Sequence, residues 1–536
     1  MATPANPNVA TLPVRVGGAA FEAWLERLRY LARRRALAIT SVIAFSIVLR
    51  LVAGLVIPHP RPYVGDEFSY LLGGELLASG KLAASEHPMW RFFESPHILV
   101  HPVYASKYPP AQAVFIAIGE KLFGDPATGV ILSVALFAGA VCWALQAYVP
   151  AAWAVLGGLF TSVVFGPGHY WSESYWGGAV IGLGAALMIG AYRRITFLRA
   201  PAYGWLGIGA LILLNSRPFE GGVLVACCGG LVLFDALRRG NLDAVATLAV
   251  TASLIIAVIA FYNWNVTSSP WQMPYSAYQA QYGPAPTLWI LPARLAPAYG
   301  HPELQRLFER LIHERDNVLA WSLPRRSFVL LVRLVFVMIF GVGPLAFLPV
   351  IFVPAIWRAN KAVRALACIA IALTAFLLLD VSMFLHYAAP LITVLLVLSF
   401  VALHRMTRPR NGRAVAFVIA ALMFGSAFLR VGEAMAGTNI NYPARPPFRF
   451  DREAVIQKLS RIPGRHVVFV RYAPDHDANI EWVYNGADID ASRIVWAHDL
   501  GEDRNLNLIN YYAGRHFWLL QPDAGELSLM HYRTRD

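Results

Sequence analysis

Charged residues are scarce in this chain. They make up 14% of its 536 residues, whereas 57% are hydrophobic; soluble domains carry roughly 25% charged residues. This deficit excludes an ordinary soluble protein. Apolar stretches of roughly twenty residues recur along the sequence, and such stretches are typical of helices that cross a bilayer. The sequence therefore predicts a polytopic α-helical membrane protein.

Cysteine is also rare, with four residues in the chain. All four lie in apolar segments, where a thiol behaves as a small buried hydrophobe; they are Cys142, Cys227, Cys228 and Cys368. None is placed to cross-link an exported loop. The sequence also lacks an internal repeat, which argues against the related halves that many transporters have.

Hydropathy places eleven candidate spans, near 37–57, 126–148, 152–168, 176–192, 203–216, 219–235, 244–262, 328–353, 362–380, 383–403 and 413–434. Basic clusters then fall on one side of the membrane, at 27–35, 193–199, 238–239, 358–364 and 405–413. The positive-inside rule makes that side cytoplasmic, together with the N-terminus. The net charge of +13 thus serves topology and lipid contact, and not nucleic-acid binding.

This topology divides the chain into three predicted parts. Residues 1–36 form a cytoplasmic segment, 37–436 a transmembrane domain with outer loops 58–125 and 263–327, and 437–536 an extracytoplasmic domain. In the last part, helical patterns alternate with short apolar strand patterns such as HVVFVRYA and RIVWAHDL. Alternation of this kind predicts a small α/β domain.

The first outer loop opens with an acidic pair, Asp66 and Glu67, in the stretch VGDEFSY. Lys107 follows in SKYPPAQAVF, whose two prolines suit the first turn of a helix. The apolar segment 111–124 is short for a span, so we expect it along the membrane surface, with Lys107 near the acidic pair. The alternatives are a solvated loop start and a snorkelling lysine.

A cation and a carboxylate at one membrane edge suit a particular reaction. The cation neutralises a lipid-linked phosphate leaving group, and the carboxylate deprotonates an acceptor hydroxyl. A sugar on a polyprenyl phosphate presents this geometry, because its tail lies in the bilayer and its anomeric carbon at the surface.

The acidic pair, the Lys-x-Pro-Pro motif at 107–110 and the helix ending in LFG at 122–124 together resemble the GT-C integral-membrane glycosyltransferases. The protein O-mannosyltransferase and lipid A aminoarabinose transferase branch is the most similar. The resemblance implies inverting transfer of a hexosyl or pentosyl group from a polyprenyl-phosphate donor at the outer face. It also implies Asp66 as the catalytic carboxylate, Glu67 as its neighbour and Lys107 as the phosphate contact. In many relatives the lysine directly precedes proline, whereas here Tyr108 intervenes.

A second outer turn, GPGHYWSESYWGG at 166–178, carries candidate substrate-lining residues. They are His169, Tyr170, Glu173, Tyr175 and Trp176. The rings alone fit an aromatic belt at the membrane interface. Aromatic faces beside a carboxylate also suit a sugar, whose C–H faces stack while its hydroxyls form hydrogen bonds.

Polar side chains also occur at the outer ends of two further pairs of predicted spans. Arg217, in NSRPFE, either pairs with Glu220 to pin two helix ends or binds the donor phosphate. His386 and Tyr387 lie just inside the tenth predicted span and are further substrate-lining candidates, although a lone histidine there is more often a satisfied core residue.

The first outer loop also holds four histidines: His59, His87, His97 and His101. The spacing of the last two matches two ligands on one helical turn, but proline follows three of the four. The sequence therefore names no certain cofactor and leaves a divalent metal open.

The sequence as a whole favours an enzyme over a transporter or flippase of lipid-linked sugar, because ionisable residues gather at the outer edge and not at mid-membrane. A non-catalytic envelope-glycan assembly factor is the other alternative. The expected partners are a polyprenyl-phosphate-linked sugar donor, a lipid, glycan or protein acceptor, and membrane lipids. Short loops and an Ala- and Arg-rich chain favour a bacterial inner membrane.

Overall fold

The computed structural model describes residues 34–357, 360–438, 452–524 and 528–532. Its α-helices are α1 Arg35–Ala53, α2 Gly65–Ala78, α3 Ala111–Phe123, α4 Pro126–Leu145, α5 Ala151–Val164, α6 Gly178–Leu198, α7 Tyr203–Leu214, α8 Pro218–Arg238, α9 Leu242–Thr267, α10 Pro274–Gln281, α11 Pro302–Ala320, α12 Leu323–Val342, α13 Val353–Trp357, α14 Lys361–Leu377, α15 Ala389–Met406, α16 Arg410–Met435, α17 Arg452–Ser460 and α18 Glu502–Tyr511. Its strands are β1 Ala84–Ser85, β2 Ile98–Leu99, β3 Val103–Ser106, β4 His466–Val470, β5 Ile494–His498, β6 His516–Gln521 and β7 Ser528–His531.

Each of the eleven predicted spans overlaps one of these helices. Seven helices in the described part are long and apolar enough to cross a membrane: α1, α4, α6, α8, α9, α15 and α16. The helices α5 and α7 are apolar but shorter, at 14 and 12 residues. The prediction of a polytopic α-helical membrane protein is confirmed.

The helical bundle has a buried centre and a lipid-facing rim. Helices α4, α6 and α15 are mostly buried, whereas only 6% of the apolar window of α9 is buried inside the protein. Exposed side chains such as Leu254 and Phe261 on α9 are stable only where lipid replaces water. The exposed apolar surface therefore marks the helices that meet the bilayer.

The surface helix predicted after Pro109 and Pro110 is present as α3. It ends at Gly124, whose left-handed backbone (φ 67°) suits a residue without a Cβ. The Asp125 side chain then accepts a hydrogen bond from the Ala127 N–H and caps α4. A Cβ on Gly129 would collide with the Phe115 carbonyl, so α3 and α4 approach closely. Helix α2 also packs against α3.

The C-terminal part forms a small α/β unit, as predicted. Its sheet has the order β5-β4-β6-β7; β4 pairs in parallel with β5 and β6, and β7 is an antiparallel edge. All five residues of β4 are buried, which explains its continuous apolar run. Helix α17 precedes β4 in the chain, in line with the predicted alternation of helices and strands.

This α/β unit shares one hydrophobic core with the first outer loop. Side chains of α2, including Phe68 and Leu72, pack in the same cluster as Val467 and Phe469 of β4. Phe68 stacks on Tyr484 with ring centroids 4.5 Å apart. The C-terminal unit therefore supports the loop in which the acidic pair lies.

Backbone hydrogen bonds continue that contact. The Glu481 N–H donates to the Tyr63 carbonyl at 3.0 Å, and Ile480 pairs with Val64 in an antiparallel bridge. The Ala487 N–H also donates to Glu75 on α2 at 3.0 Å. The residues just before Asp66 are thus fixed by the C-terminal unit.

Candidate active site

Asp66 lies in the first turn of α2, where the positive end of the helix dipole favours a carboxylate. Its Oδ2 lies 3.2 Å from Nε2 of His97, and Tyr108 donates a hydrogen bond to Oδ1. Burial alone would raise the pKa of Asp66, but His97, Lys107 and Tyr108 outweigh it and hold that pKa well below its usual range. The side chain keeps 37% exposure, so an ionised carboxylate remains accessible to a reactant.

His97 connects this carboxylate to the lysine. Lys107 Nζ lies 2.6 Å from Nδ1 of His97. An ammonium can only donate, so Nδ1 accepts and Nε2 carries the hydrogen that points to Asp66. Burial, reinforced by Lys107, lowers the pKa of His97. The neutral ring therefore sets the relative positions of Asp66 and Lys107.

The Lys107 ammonium sits in a cage of aromatic rings. It lies 4.9 Å from the ring centroids of Tyr108 and Tyr278 and 5.2 Å from that of Tyr275. Such faces stabilise a cation, yet the residue is only 5% exposed. Burial lowers the pKa of Lys107 to about 8, although Asp66 opposes that shift. A buried, weakly hydrated ammonium of this kind is well suited to an anionic ligand.

Glu67 faces a different set of partners. Its carboxylate accepts hydrogen bonds from the Tyr63 N–H at 3.3 Å and the Tyr175 N–H at 3.2 Å. The residue is 1% exposed, and burial raises its pKa to about 8 in spite of these N–H groups. Glu67 thus joins the start of α2 to the second outer turn, beside Asp66 and behind it.

Arg217 lies at the N-terminal end of α8, three positions before Glu220. Its Nη2 and Nε bind the two oxygens of Glu220 at 2.8 and 3.3 Å, so the predicted pair is present. The guanidinium also lies 3.4 Å from the ring centroid of Tyr387. Two of its nitrogens are therefore occupied by Glu220. No residue in the described part of the chain accepts a hydrogen bond from Nη1.

Four aromatic candidates form a continuous group next to Arg217, which we call the aromatic wall: Tyr170, Trp176, His386 and Tyr387. The Tyr170 hydroxyl lies 2.8 Å from Nδ1 of His386. The His386 ring is 5.2 Å from that of Trp176 and 4.6 Å from that of Tyr387. The structure therefore brings residues from two distant segments into one surface.

The other candidates in the second outer turn make contacts within and below that turn. His169 accepts from the Trp171 N–H at 2.9 Å and approaches the Gly341 carbonyl at 3.1 Å. Glu173 lies 3.4 Å from Arg50, a buried cation on α1. The Tyr175 hydroxyl lies 3.3 Å from the Pro60 carbonyl. These contacts fix the turn that carries Tyr170 and Trp176.

The donor set around Asp66 does not fit a metal. Nδ1 of His97 is occupied by Lys107, and an ammonium takes the place that a cation would need. His101 does not join His97 either, because it pairs with Glu86 at 2.7 Å instead. Among the described residues, one group has three side chains placed for a metal: His301, Glu303 and His498.

The fold can be compared with solved structures. The oligosaccharyltransferase of Archaeoglobus fulgidus, crystallised with zinc and sulfate, matches 90% of this chain and 67% of its own, with a TM-score of 0.51 and 14% identity. The chain has the GT-C fold. Apo ArnT of Cupriavidus metallidurans, another GT-C protein, gives a TM-score of 0.49 at 16% identity and covers 94% of this chain and 93% of its own. No protein-family model and no curated protein matches the sequence.

Two residues of the candidate site were not predicted from the sequence. Tyr275 and Tyr278 come from α10 in the second outer loop, and they close the cage around Lys107. Their spacing of three residues on a short helix, in a segment rich in tyrosine and proline, was the available signal. It did not indicate which cation they would face.

Proposed function

We propose that this chain is a membrane glycosyltransferase that moves a sugar from a polyprenyl-phosphate donor to an acceptor hydroxyl at the outer face. The observation that carries the proposal is the pairing of an accessible anion, Asp66, with a caged cation, Lys107, through His97. The fold it shares with an oligosaccharyltransferase supports the same class of reaction by analogy.

In the proposed reaction, the acceptor hydroxyl lies against Asp66 and the donor phosphate against Lys107. The acceptor oxygen forms a bond to the anomeric carbon from the face opposite the phosphate. The carbon–oxygen bond to phosphate breaks, and its electron pair stays on the phosphate, where the ammonium stabilises the charge. The acceptor proton passes to Asp66, and the configuration at the anomeric carbon inverts.

The low pKa of Asp66 fits a late proton transfer. A carboxylate that stays ionised is always ready to accept the hydrogen bond of the hydroxyl and orient its oxygen. The hydroxyl becomes acidic only as its oxygen bonds to carbon, so the proton moves at that stage. The free Nη1 of Arg217 is a second phosphate contact, and the aromatic wall offers ring faces to the sugar.

We further propose that the N-terminus is cytoplasmic and that the C-terminal unit lies on the outer side of a bacterial inner membrane. The arginine clusters between alternate spans support this orientation. The acceptor is a lipid, a glycan or a protein that reaches the same outer surface.

The decisive experiment measures sugar release from a polyprenyl-phosphate donor by the purified protein, with Asp66→Asn against wild type. Glu86→Gln is the matched control, because this acid lies in the same outer loop and pairs with an exposed histidine. We expect Asp66→Asn to lose a factor of about 10²–10⁴, and Glu86→Gln to keep the wild-type rate. Equal turnover by wild type and Asp66→Asn would discard Asp66 as the base. Donor movement across vesicles without sugar release would favour a transporter.

A further inference from the structure

Three segments of the chain meet at the joint between the outer loops and the C-terminal unit. The first outer loop contributes the turn at 91–94, the second outer loop contributes His301 and Glu303 at the start of α11, and β5 ends with His498. The two imidazole rings lie 4.1 Å apart, and both residues are 4% exposed. Two buried imidazoles beside a carboxylate need an explanation, because burial of polar rings is costly unless their nitrogens are satisfied.

Hydrogen bonds fix the tautomer of both rings. Nε2 of His498 lies 2.7 Å from the Glu94 carbonyl, so it must carry the hydrogen. Nε2 of His301 lies 2.9 Å from the Arg91 carbonyl and 3.1 Å from the Glu94 carboxylate, so it also carries the hydrogen. In each ring the lone pair is therefore on Nδ1. A ring whose N–H is anchored on a carbonyl or carboxylate is the arrangement in which histidine binds metals.

The third side chain supplies a hard oxygen ligand. One ligand atom each from His301, Glu303 and His498 lies within 4.8 Å of the other two. Oε1 of Glu303 is 3.6 Å from Arg306, and the second carboxylate oxygen is left for another partner. Two histidines and one carboxylate form a ligand set typical of zinc and related ions, with a remaining position for water.

We propose that His301, Glu303 and His498 bind one divalent transition-metal ion, which joins the second outer loop to the C-terminal unit. The site shares no residue with the Asp66–His97–Lys107 group, and it does not depend on the proposed reaction. Metal binding at this site would affect the Lys107 cage through the second outer loop. There Tyr282, one position after α10, donates to Glu94 at 2.8 Å, and Tyr299 donates to the Tyr282 carbonyl at 2.9 Å.

The test uses the full chain purified in detergent, stripped with a chelator, incubated with Zn²⁺ and desalted. Metal content and thermal unfolding are measured for wild type, for the double variant His301→Gln/His498→Gln and for His313→Gln. His313 is an exposed histidine on the same helix α11, so its variant controls for surface binding. We expect one zinc per chain and a zinc-dependent rise in Tm for wild type and His313→Gln, with both effects lost in the double variant.

A second measurement needs no variant. Co²⁺ in place of Zn²⁺ should give weak visible d–d bands without thiolate charge-transfer bands, because the proposed ligands contain no sulfur and four cysteines occur elsewhere in the chain. Three results would each overturn the proposal. They are zinc retained by the double variant, a thiolate-type cobalt spectrum, and wild-type protein that holds no metal after desalting.

Discussion

The caged lysine gives the proposed reaction a specific dependence on pH. Burial lowers the pKa of Lys107 from 10.5 to about 8, and the proposed role requires the charged form. The charged fraction is then one half near pH 8 and falls about tenfold for each further unit. We therefore expect the single-turnover rate to drop along an alkaline limb that begins near pH 8, well below the pH at which an exposed lysine would titrate.

Loss of the fold would not explain such a limb. Between about pH 8 and 10.5 the unfolded chain holds a proton on Lys107 that the native state has released, so this group makes stability rise with pH in that window. Because burial lowers the pKa of Lys107 to about 8, the charged form at neutral pH costs about 3 kcal/mol of folding free energy. The rate should therefore fall in the pH window where the contribution of Lys107 to stability rises.

The assay compares wild type with Lys107→Arg from pH 6 to 10, in mixed micelles that contain the donor. Arginine stays charged throughout this range, so the variant should lose the alkaline limb even if its bulkier group lowers the overall rate. Glu67 also has a pKa of about 8, and a limb caused by Glu67 would survive in Lys107→Arg. A surviving limb, or a flat wild-type profile to pH 10, would refute the reasoning.

Two further changes test other parts of the structure. In Arg217→Lys, the lysine cannot reproduce the two-nitrogen contact with Glu220 or the stacking on Tyr387. We therefore expect the KM for donor to rise about tenfold or more. An unchanged KM would remove Arg217 from the phosphate site. Phe68→Ala removes a buried ring that stacks on Tyr484, and it should lower the free energy of unfolding by about 3–5 kcal/mol. The loss should be seen as faster amide exchange across α2 and residues 480–487. Unchanged exchange there would contradict the shared core.

Much of the bundle could be predicted because its signals are local. Apolar runs located all eleven helices proposed as spans, and Pro109 with Pro110 located the start of α3. Gly124 ended that helix where the sequence suggested. The C-terminal α/β unit was also predictable from its alternating patterns. Its packing against α2 was not, because that contact joins residues far apart in the chain, such as Glu75 and Ala487, which are 412 positions apart.

The site shows the same division between local and distant information. Asp66 and Lys107 were recognisable from short motifs at the membrane edge. His97 drew attention as a metal-ligand candidate, yet its position between Asp66 and Lys107 depends on loop conformation, including its own left-handed backbone. Likewise, nothing near Glu173 in the sequence indicates Arg50, which is 123 positions away.

The shared core also governs when the Asp66 loop can mature during synthesis. The C-terminal strands that complete its core are separated from the first outer loop by 404 positions in the His498–Glu94 contact. At about 5–20 residues per second, a ribosome needs roughly 20–80 s to make the intervening chain. Throughout that interval, membrane helices near α2 are already made, but the C-terminal sheet that packs against α2 is not. A nascent chain that is cut short after its last membrane helix would therefore contain Asp66, His97 and Lys107 without the support that holds the loop in place.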